Sequence, residues 1–539
     1  MSINSVFNIG QSALSATQTA LAVTSNNIAN ANTPGYSRQD VVLSVTRPQL
    51  TRSGFLGTGV AAISVKRSYD RFIQMQLLGQ QQSQGKSAAM DQAWGQIEQL
   101  LNEMQDIGLA SPLADYFTAW NDVAAAPDSV AARTVLLQKG ASLARSAASI
   151  ERGIVSTLSS TNTAIVNDVQ KVNSIASEIA TLNADITQAE AGQTTDRANA
   201  LRDQRDTKLA ELAKLVDFST YEDTTGAITV SVGMRNLVSG TRVNPLTTTP
   251  DTNGNPQLYL DGLNITPNIQ GGEISGLITS RDAIQATTLT SFRKLIASIT
   301  QQVNSLHSAG YSLNGTTGNN FFNPLQLSTI NNSAGATITA TITSEAALSL
   351  DEYNITFSGG NYNVYNEATG ALVTSGAYLP AGTTFALPGI SVTISGAVTT
   401  TDSFSISPLS TAINNFGVAL TDVNSIAAAS TAAGVPGDNT TAVAISQLAD
   451  TSIASLGSTT FSGYYNSLVA SVGASKQATA DSLTFDNNVL SQIQTQRDSV
   501  SGVSLDEEAA NLIRFQRAYQ AGAQVIKVAD ELLQTILNL

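Results

Sequence analysis

Apolar residues recur every seven positions at both ends of this chain, at Phe7, Leu14, Leu21 and Ile28 and again at Leu505, Leu512, Tyr519, Ile526 and Leu533. A heptad keeps one stripe of a helix turned toward a partner helix, so each end is half of a coiled-coil seam and the other end is its expected partner. Phe515, Ala529 and Ile536 widen the C-terminal stripe, and Val6, Ile9, Ala13, Ala16, Ala20 and Val23 give the N-terminal helix a broad apolar flank. Isolated helices of about thirty residues are marginal in water, so these ends are expected to be loose in a free monomer and to order on assembly. The pattern points to a subunit that associates with itself in a ring or helical layer.

A chain of 539 residues divides into several domains, with apolar content sufficient for real cores. The net charge of −14, with no Lys or Arg between Lys294 and Lys476, argues against a nucleic-acid binder. Cysteine is absent, which removes disulfides, thiolate nucleophiles and thiolate metal ligands together. The first residues lack the basic and continuous apolar regions of a cleaved secretory signal, and no run is long enough to span a membrane. Retention in the cytosol, or export by a route without such a signal, follows as the expectation.

The fold class expected is mainly α with β insertions, an α+β multidomain chain. Residues 1–36 and 503–539 form the terminal coiled coil. Residues 37–215, 281–324 and 411–502 form a long-helix core domain, 216–280 a small β-containing segment, and 325–410 an inserted antiparallel β domain, self-contained and directed outward. No proline interrupts Pro127 to Pro245, and Leu158, Ile165, Val172, Ile179 and Ile186 again lie seven apart, with Ile175 and Leu182 as second seam positions. That stretch reads as one long helix capped near Asp128 or Ser129, with a charged continuation from Arg197 to Lys214. Further helices are expected over Ser87 to Met104, broken at Gly108 and Pro112, then over Leu113 to Ala126, Leu289 to Leu306, and Phe461 to Ile493. Period-two alternation marks Ile228, Val230 and Val232 in a β stretch running toward Gly276, and Ile338/Ala340/Ile342, Ile355/Phe357, Tyr362/Val364 and Ile390/Val392/Ile394 in the insert. Between Thr411 and Thr441 the alanine content favours helix over linker.

Asn26-Asn27-Ile28-Ala29-Asn30-Ala31-Asn32-Thr33-Pro34-Gly35-Tyr36 closes the first helix, where Pro34-Gly35 stops it and turns the chain. This string, with Asn27, Asn30, Thr33, Pro34, Gly35 and Tyr36 as its signature, resembles the N-terminal motif of bacterial flagellar axial proteins, the rod, hook and hook-associated families. Gly57 to Val60 and Ile63 to Asp70 are similar to the strand-rich stretch that follows it there, and Val503 to Ala521 to their terminal helix. Asn304 to Gly310, Leu313-Asn314-Gly315, Gly318 and Phe321-Phe322, with Gly271 to Leu277, resemble the interior of the hook-associated branch. The resemblance implies an inner tube of packed terminal helices, a surrounding helical domain and outward β domains. It also implies export through the flagellar secretion channel and a place at the junction of hook and filament. Its implied partners are the hook protein, a second hook-associated protein and a cytosolic export chaperone at the C-terminal helix, with no nucleic acid and no membrane. The alternatives are another axial subunit of hook or distal rod, or a surface module whose β insert binds a ligand.

No catalytic, cofactor or metal site is expected. His307 is the single histidine, which rules out a two-histidine zinc motif, and no G-x-S-x-G elbow or P-loop is present. His307 reads as a helix-end residue complementing the dipole, so His307→Ala is expected to change neither fold nor assembly. Asp251-Thr252-Asn253-Gly254-Asn255 is an incomplete calcium loop. Arg38, Arg47, Arg52, Lys66, Arg67 and Arg71 form the densest basic region, read as ion-pairing with acidic faces of neighbouring subunits or as a solvated strand face rather than as a nucleic-acid site.

Overall fold

The computed structural model describes residues 3–51, 54–101, 108–191 and 198–537. Arg52, Met104, Arg197 and the side chain of Ile536 lie outside what it describes. Helices and antiparallel sheets group into two units, one of 1–89, 164–277 and 480–539 and the other of 90–163 and 278–479, a division that cuts across the boundaries expected from sequence.

The first unit begins with α1 (Ile3–Asn30), followed by strands β1 (Gln39–Val45), β2 (Gln49–Thr51), β3 (Gly54–Leu56) and β4 (Val60–Arg67). These pair as one long ribbon, β1 with β4 and β2 with β3. Helix α2 (Arg71–Leu100) starts well before Ser87. Asp70 caps it, its Oδ1 accepting from the Phe72 and Ile73 amides at 2.8 and 3.2 Å. The second unit takes α3 (Ala110–Ala125), which accommodates Pro112 in its first turn rather than breaking there. It also takes the first part of α4 (Val130–Glu190), where the Ser129 hydroxyl accepts from the Ala132 amide at 3.2 Å.

The later part of α4 buries Ile165, Val172, Ile179 and Ile186 completely. Its second stripe is Val169, Ala176 and Asn183, not Ile175 and Leu182, which are half-buried. The charged stretch is a separate helix, α5 (Asn199–Leu215). Two small sheets follow, β5 (Ser219–Glu222), β6 (Ile228–Val232), β7 (Arg235–Ser239) and β8 (Arg242–Val243), then β9 (Thr247–Pro250), β10 (Pro256–Leu260) and β11 (Leu263–Asn264). Asn183 ties α4 to the first sheet, donating to the Ile228 and Gly240 carbonyls, both at 2.8 Å, and accepting from the Ile228 amide at 3.0 Å. The β stretch ends at Asn264, and α6 (Gly272–Ala283) takes over the segment expected to run on as strand toward Gly276. A Cβ on Gly276 would lie 2.4 Å from the Lys86 carbonyl oxygen, so this glycine lets α6 press on α2.

A π-helical turn, Ile284–Leu289, joins α6 to α7 (Thr290–Ala309). Phe292, Leu295, Ile296, Ile299 and Val303 of α7 share one core with Tyr116 and Trp120 of α3 and with Phe321, Phe322 and Phe461. Strand β12 (Tyr311–Ser312) leads to the insert, formed by β13 (Ser328–Asn331), β14 (Ala336–Ile342), β15 (Tyr353–Ser358), β16 (Asn361–Asn366), β17 (Leu372–Ala377), β18 (Thr383–Leu387), β19 (Ile390–Gly396) and β20 (Ser403–Ser407). They make sheets ordered β13-β20-β15-β16-β17 and β14-β19-β18 whose buried faces share one core, with Tyr362 stacked on Phe385 at 4.3 Å. This domain is anchored to α7: Gln301 donates to the Glu345 and Leu348 carbonyls at 2.7 and 2.8 Å, and Lys294 pairs with Asp351.

Between Thr411 and Thr441 the helix expectation fails. The segment is turns, short 3-10 pieces and strand β21 (Ala427–Ala429), which pairs with β12, and α-helix resumes only at α8 (Thr440–Ser446). Alanine propensity is worth a few tenths of a kcal/mol per residue. Here burial of Ala427, Ala428 and Ala429 and donors from Arg133 to the Val423 and Ile426 carbonyls outweigh it. The chain ends in α9 (Phe461–Ser501) and α10 (Leu505–Leu537).

Candidate assembly site

The terminal helices pair antiparallel: Gly10 near the start of α1 meets Ile526 and Gly522, while Arg38, eight residues past its end, bonds Ser501 at the end of α9 and Glu507 at the start of α10. Two glycines set the closeness. A Cβ on Gly10 would stand 2.7 Å from Ile526 Cγ1, and one on Gly522 would stand 3.2 Å from Leu14 Cδ2. The α10 stripe is Glu508, Leu512, Phe515, Gly522, Ile526, Ala529 and Leu533, all buried or half-buried. On α1 the deepest positions are the small residues Gly10, Ala16, Ala20, Thr24 and Asn27, with Leu14, Leu21 and Ile28 half-buried beside them. Phe7 and Tyr519 stay 38% and 39% exposed, and Leu505, at 52%, lies outside the seam.

The Asn-rich motif is a knot that holds the end of α1 on the first unit. Asn27, 1% exposed, donates to the Gln39 carbonyl at 2.9 Å and accepts from the Gln39 amide at 3.0 Å and the Tyr36 hydroxyl at 2.7 Å. Burial, with Asp203 and Glu508 nearby, pushes the Tyr36 phenol up to about 12, so it remains a donor at any physiological pH. Asn30 bonds back to Asn26 and accepts from Thr33, closing the helix end ahead of exposed Pro34. Gly35 has φ +82°, and a Cβ there would sit 2.4 Å from Thr207 Oγ1. Arg67 completes the knot with Asp203 and Asp206 at 2.8 and 2.9 Å, all largely buried.

Asn27→Ala should lower the unfolding free energy of the first unit by about 2–4 kcal/mol, because a buried amide and hydroxyl lose their partner. Denaturant unfolding that resolves the two units is the measurement, and a change below about 0.5 kcal/mol would refute the knot.

The basic region is partly spent on ion pairs within the chain. Arg38 and Arg67 pair in this way, a correction to the expectation of intersubunit ion pairs, since Glu507 of α10 and Asp203 and Asp206 of α5 lie against them. Arg202 and Arg205 of α5 likewise pair internally with Glu190 and Glu222.

The interior signature is a second knot. Asn304 donates to the Phe322 carbonyl at 3.0 Å and accepts from the Phe321 and Phe322 amides at 3.1 and 2.9 Å. His307 is completely buried; its Nδ1 donates to the Asn319 carbonyl at 2.7 Å, and its Nε2 accepts from the Ala427 amide at 2.9 Å. It sits edge-on to Phe321 at 5.7 Å. Burial pulls its pKa down to about 4, so it is a neutral crosslink and not the dipole-complementing cation expected from sequence. Asp251 is a turn residue whose Oδ1 accepts from the Asn253 and Asn255 amides at 2.8 and 2.9 Å. Among the described residues no cluster of three or more metal-ligating side chains occurs, and no helix is long and apolar enough to cross a membrane.

Family models match this layout in order. A flagella basal body rod protein model covers residues 7–36, and the helical domain of the flagellar hook-associated protein FlgK covers 94–322. The D2-like domain of flagellar hook-associated protein 1 covers 327–408, and the C-terminal model of the basal body rod proteins covers 494–539. Flagellar hook-associated protein 1 of Escherichia coli K12 is 31% identical over 432 residues, 78% of each chain. The chain belongs to the flagellar hook-associated protein 1 family. Its Salmonella typhimurium relative is 31% identical over 77% of each chain, and that of Bacillus subtilis 34% identical over 40% of this chain. The flagellar hook junction protein FlgK from Burkholderia pseudomallei, 19% identical, shares the fold with a TM-score of 0.68 over 79% of this chain and 100% of its own.

Proposed function

We infer that the chain is a structural subunit of the bacterial flagellum, outside the cell, forming the junction between hook and filament. The observation that carries this reading is the meeting of both chain ends in one antiparallel pair, closed by the Asn27–Tyr36 knot, in a chain whose interior matches the family's helical domain. Its mechanism is mechanical. The polar side chains of the signatures are spent on hydrogen bonds within the fold, His307 and Asn304 to backbone and Tyr36 to Asn27, which supports a role without catalysis. Copies associate in a ring or helical layer, with the hook protein and a second hook-associated protein as axial neighbours. A cytosolic chaperone holds the C-terminal helix before export through the flagellar channel; exposed Ile513, Val525, Val528 and Leu532 on α10 suit such a guard.

The test is electron microscopy of hooks from a deletion strain, with and without the purified protein. The protein should stay unpolymerised alone, bind hook ends and restore filament growth. Unlimited polymerisation alone, or no binding to hook ends, would overturn the assignment.

A further inference from the structure

Helix α1 is covered on two sides, and the elements that cover it are themselves open and apolar on their outer faces. It meets α10 through Gly10 and Leu14 and the ribbon through Ile9 and Ser12, where a Cβ on Gly59 would fall 2.1 Å from Ser12 Oγ. At 3.6 residues per turn those two pairs of positions point roughly 150° apart, so α1 lies between ribbon and α10.

The ribbon exposes Leu43, Val45, Leu50, Phe55 and Ile63 at 45, 84, 69, 74 and 59%. Leu50 and Phe55 are directly cross-strand, so their side chains share one face of the tip. On α10 a second apolar stripe, Ala518, Ala521, Val525, Val528 and Leu532, runs beside the seam, roughly 105° from it at helical spacing. All five are exposed, the last three by 40, 45 and 51%. Patches of this kind on a soluble chain mark contact surfaces.

We propose that the ribbon face of one copy covers the α10 shoulder of the next. The two patches are unlike and belong to the same unit, which is the requirement for a heterologous, head-to-tail contact that closes into a ring or continues as a helix. Charge favours a second copy as the occupant. Exposed Arg47 of the ribbon is opposite in sign to exposed Asp530 beside Val528, while Glu531 pairs with Lys527 on the same helix. The proposal rests on the self-assembling junction reading and specifies which surfaces perform it.

The chain has no cysteine, so introduced ones report without background. Full-length Phe55→Cys with Val528→Cys, expressed in a deletion strain, is treated on intact flagella with a short thiol crosslinker. A dimer and higher ladder of this chain alone, requiring both cysteines, is expected. Leu50→Cys with Leu532→Cys gives a second geometry should the first pair fail to assemble. Restored motility with only monomer in the assembling pairs overturns the contact while leaving the junction role standing. Crosslinking of either single variant to a hook subunit in the intact flagellum overturns it too, by naming a different occupant. Failure of both pairs to assemble beside a functional wild type, with single-cysteine controls assembling, would show that the surfaces do not sit together. Failure of the wild type itself rejects the junction reading and this contact with it.

Discussion

Leu512→Asp together with Ile526→Asp should abolish filament growth while leaving the melting of the second unit unchanged. Both side chains are half-buried in the α1–α10 seam, and Ile526 is the residue on which Gly10 closes. A carboxylate there loses solvation with no cation opposite, a penalty on the order of several kcal/mol that falls on the paired helices. The second unit holds none of these residues and has its own core. Calorimetry of the monomer beside a hook-capping assay separates the two effects. Normal capping, or a large fall in the second unit's melting temperature, would sink the view that these repeats act through the terminal pair.

His307→Ala should destabilise the second unit by about 2–4 kcal/mol, reversing the expectation of a silent change. The substitution leaves the Ala427 amide and Asn319 carbonyl without their partner and opens a void beside Phe321 and Trp120. The same residue makes stability pH-dependent. Its folded pKa, about 4, lies below the ordinary value of 6.5, so between those values the unfolded chain binds the extra proton. The contribution is fully present above pH 6.5 and is lost as pH falls toward 4, amounting to about 3 kcal/mol at most. Unfolding of wild type and His307→Ala at pH 7.5, 5.5 and 4.5 checks this, because the histidine's share of the slope must vanish in the variant. Parallel pH profiles would refute it.

Much of the assembly site could be read from residue spacing. The heptad through Leu512, Ile526 and Leu533 lies in the seam, while α1 ends at Asn30, ahead of the Pro34-Gly35 turn expected to stop it. The α10 shoulder and the Gly10–Gly522 approach could not be read that way. A heptad count registers large apolar side chains, whereas this seam is set by small ones that let two backbones come close. The start of α2 lies sixteen residues before the expected Ser87, at Arg71, where the Asp70 carboxylate accepts its first free amides. Asn27, Asn183, Asn304 and His307 show the same limit. Each type is neutral or unfavourable inside a helix by local preference, and each here is bonded to a distant backbone.

By itself the sequence determined which segments carry helical or strand periodicity, the pairing of the two ends, the β insert and the family, because periodicity and motif spacing are local properties of the chain. Tertiary structure alone decided that Ala427–Ala429 is strand, that Arg38 and Arg67 pair within the chain, and that His307 is a neutral crosslink. Those outcomes depend on burial and on hydrogen-bond partners that lie more than a hundred residues away, and no window of sequence contains both sides of such a contact.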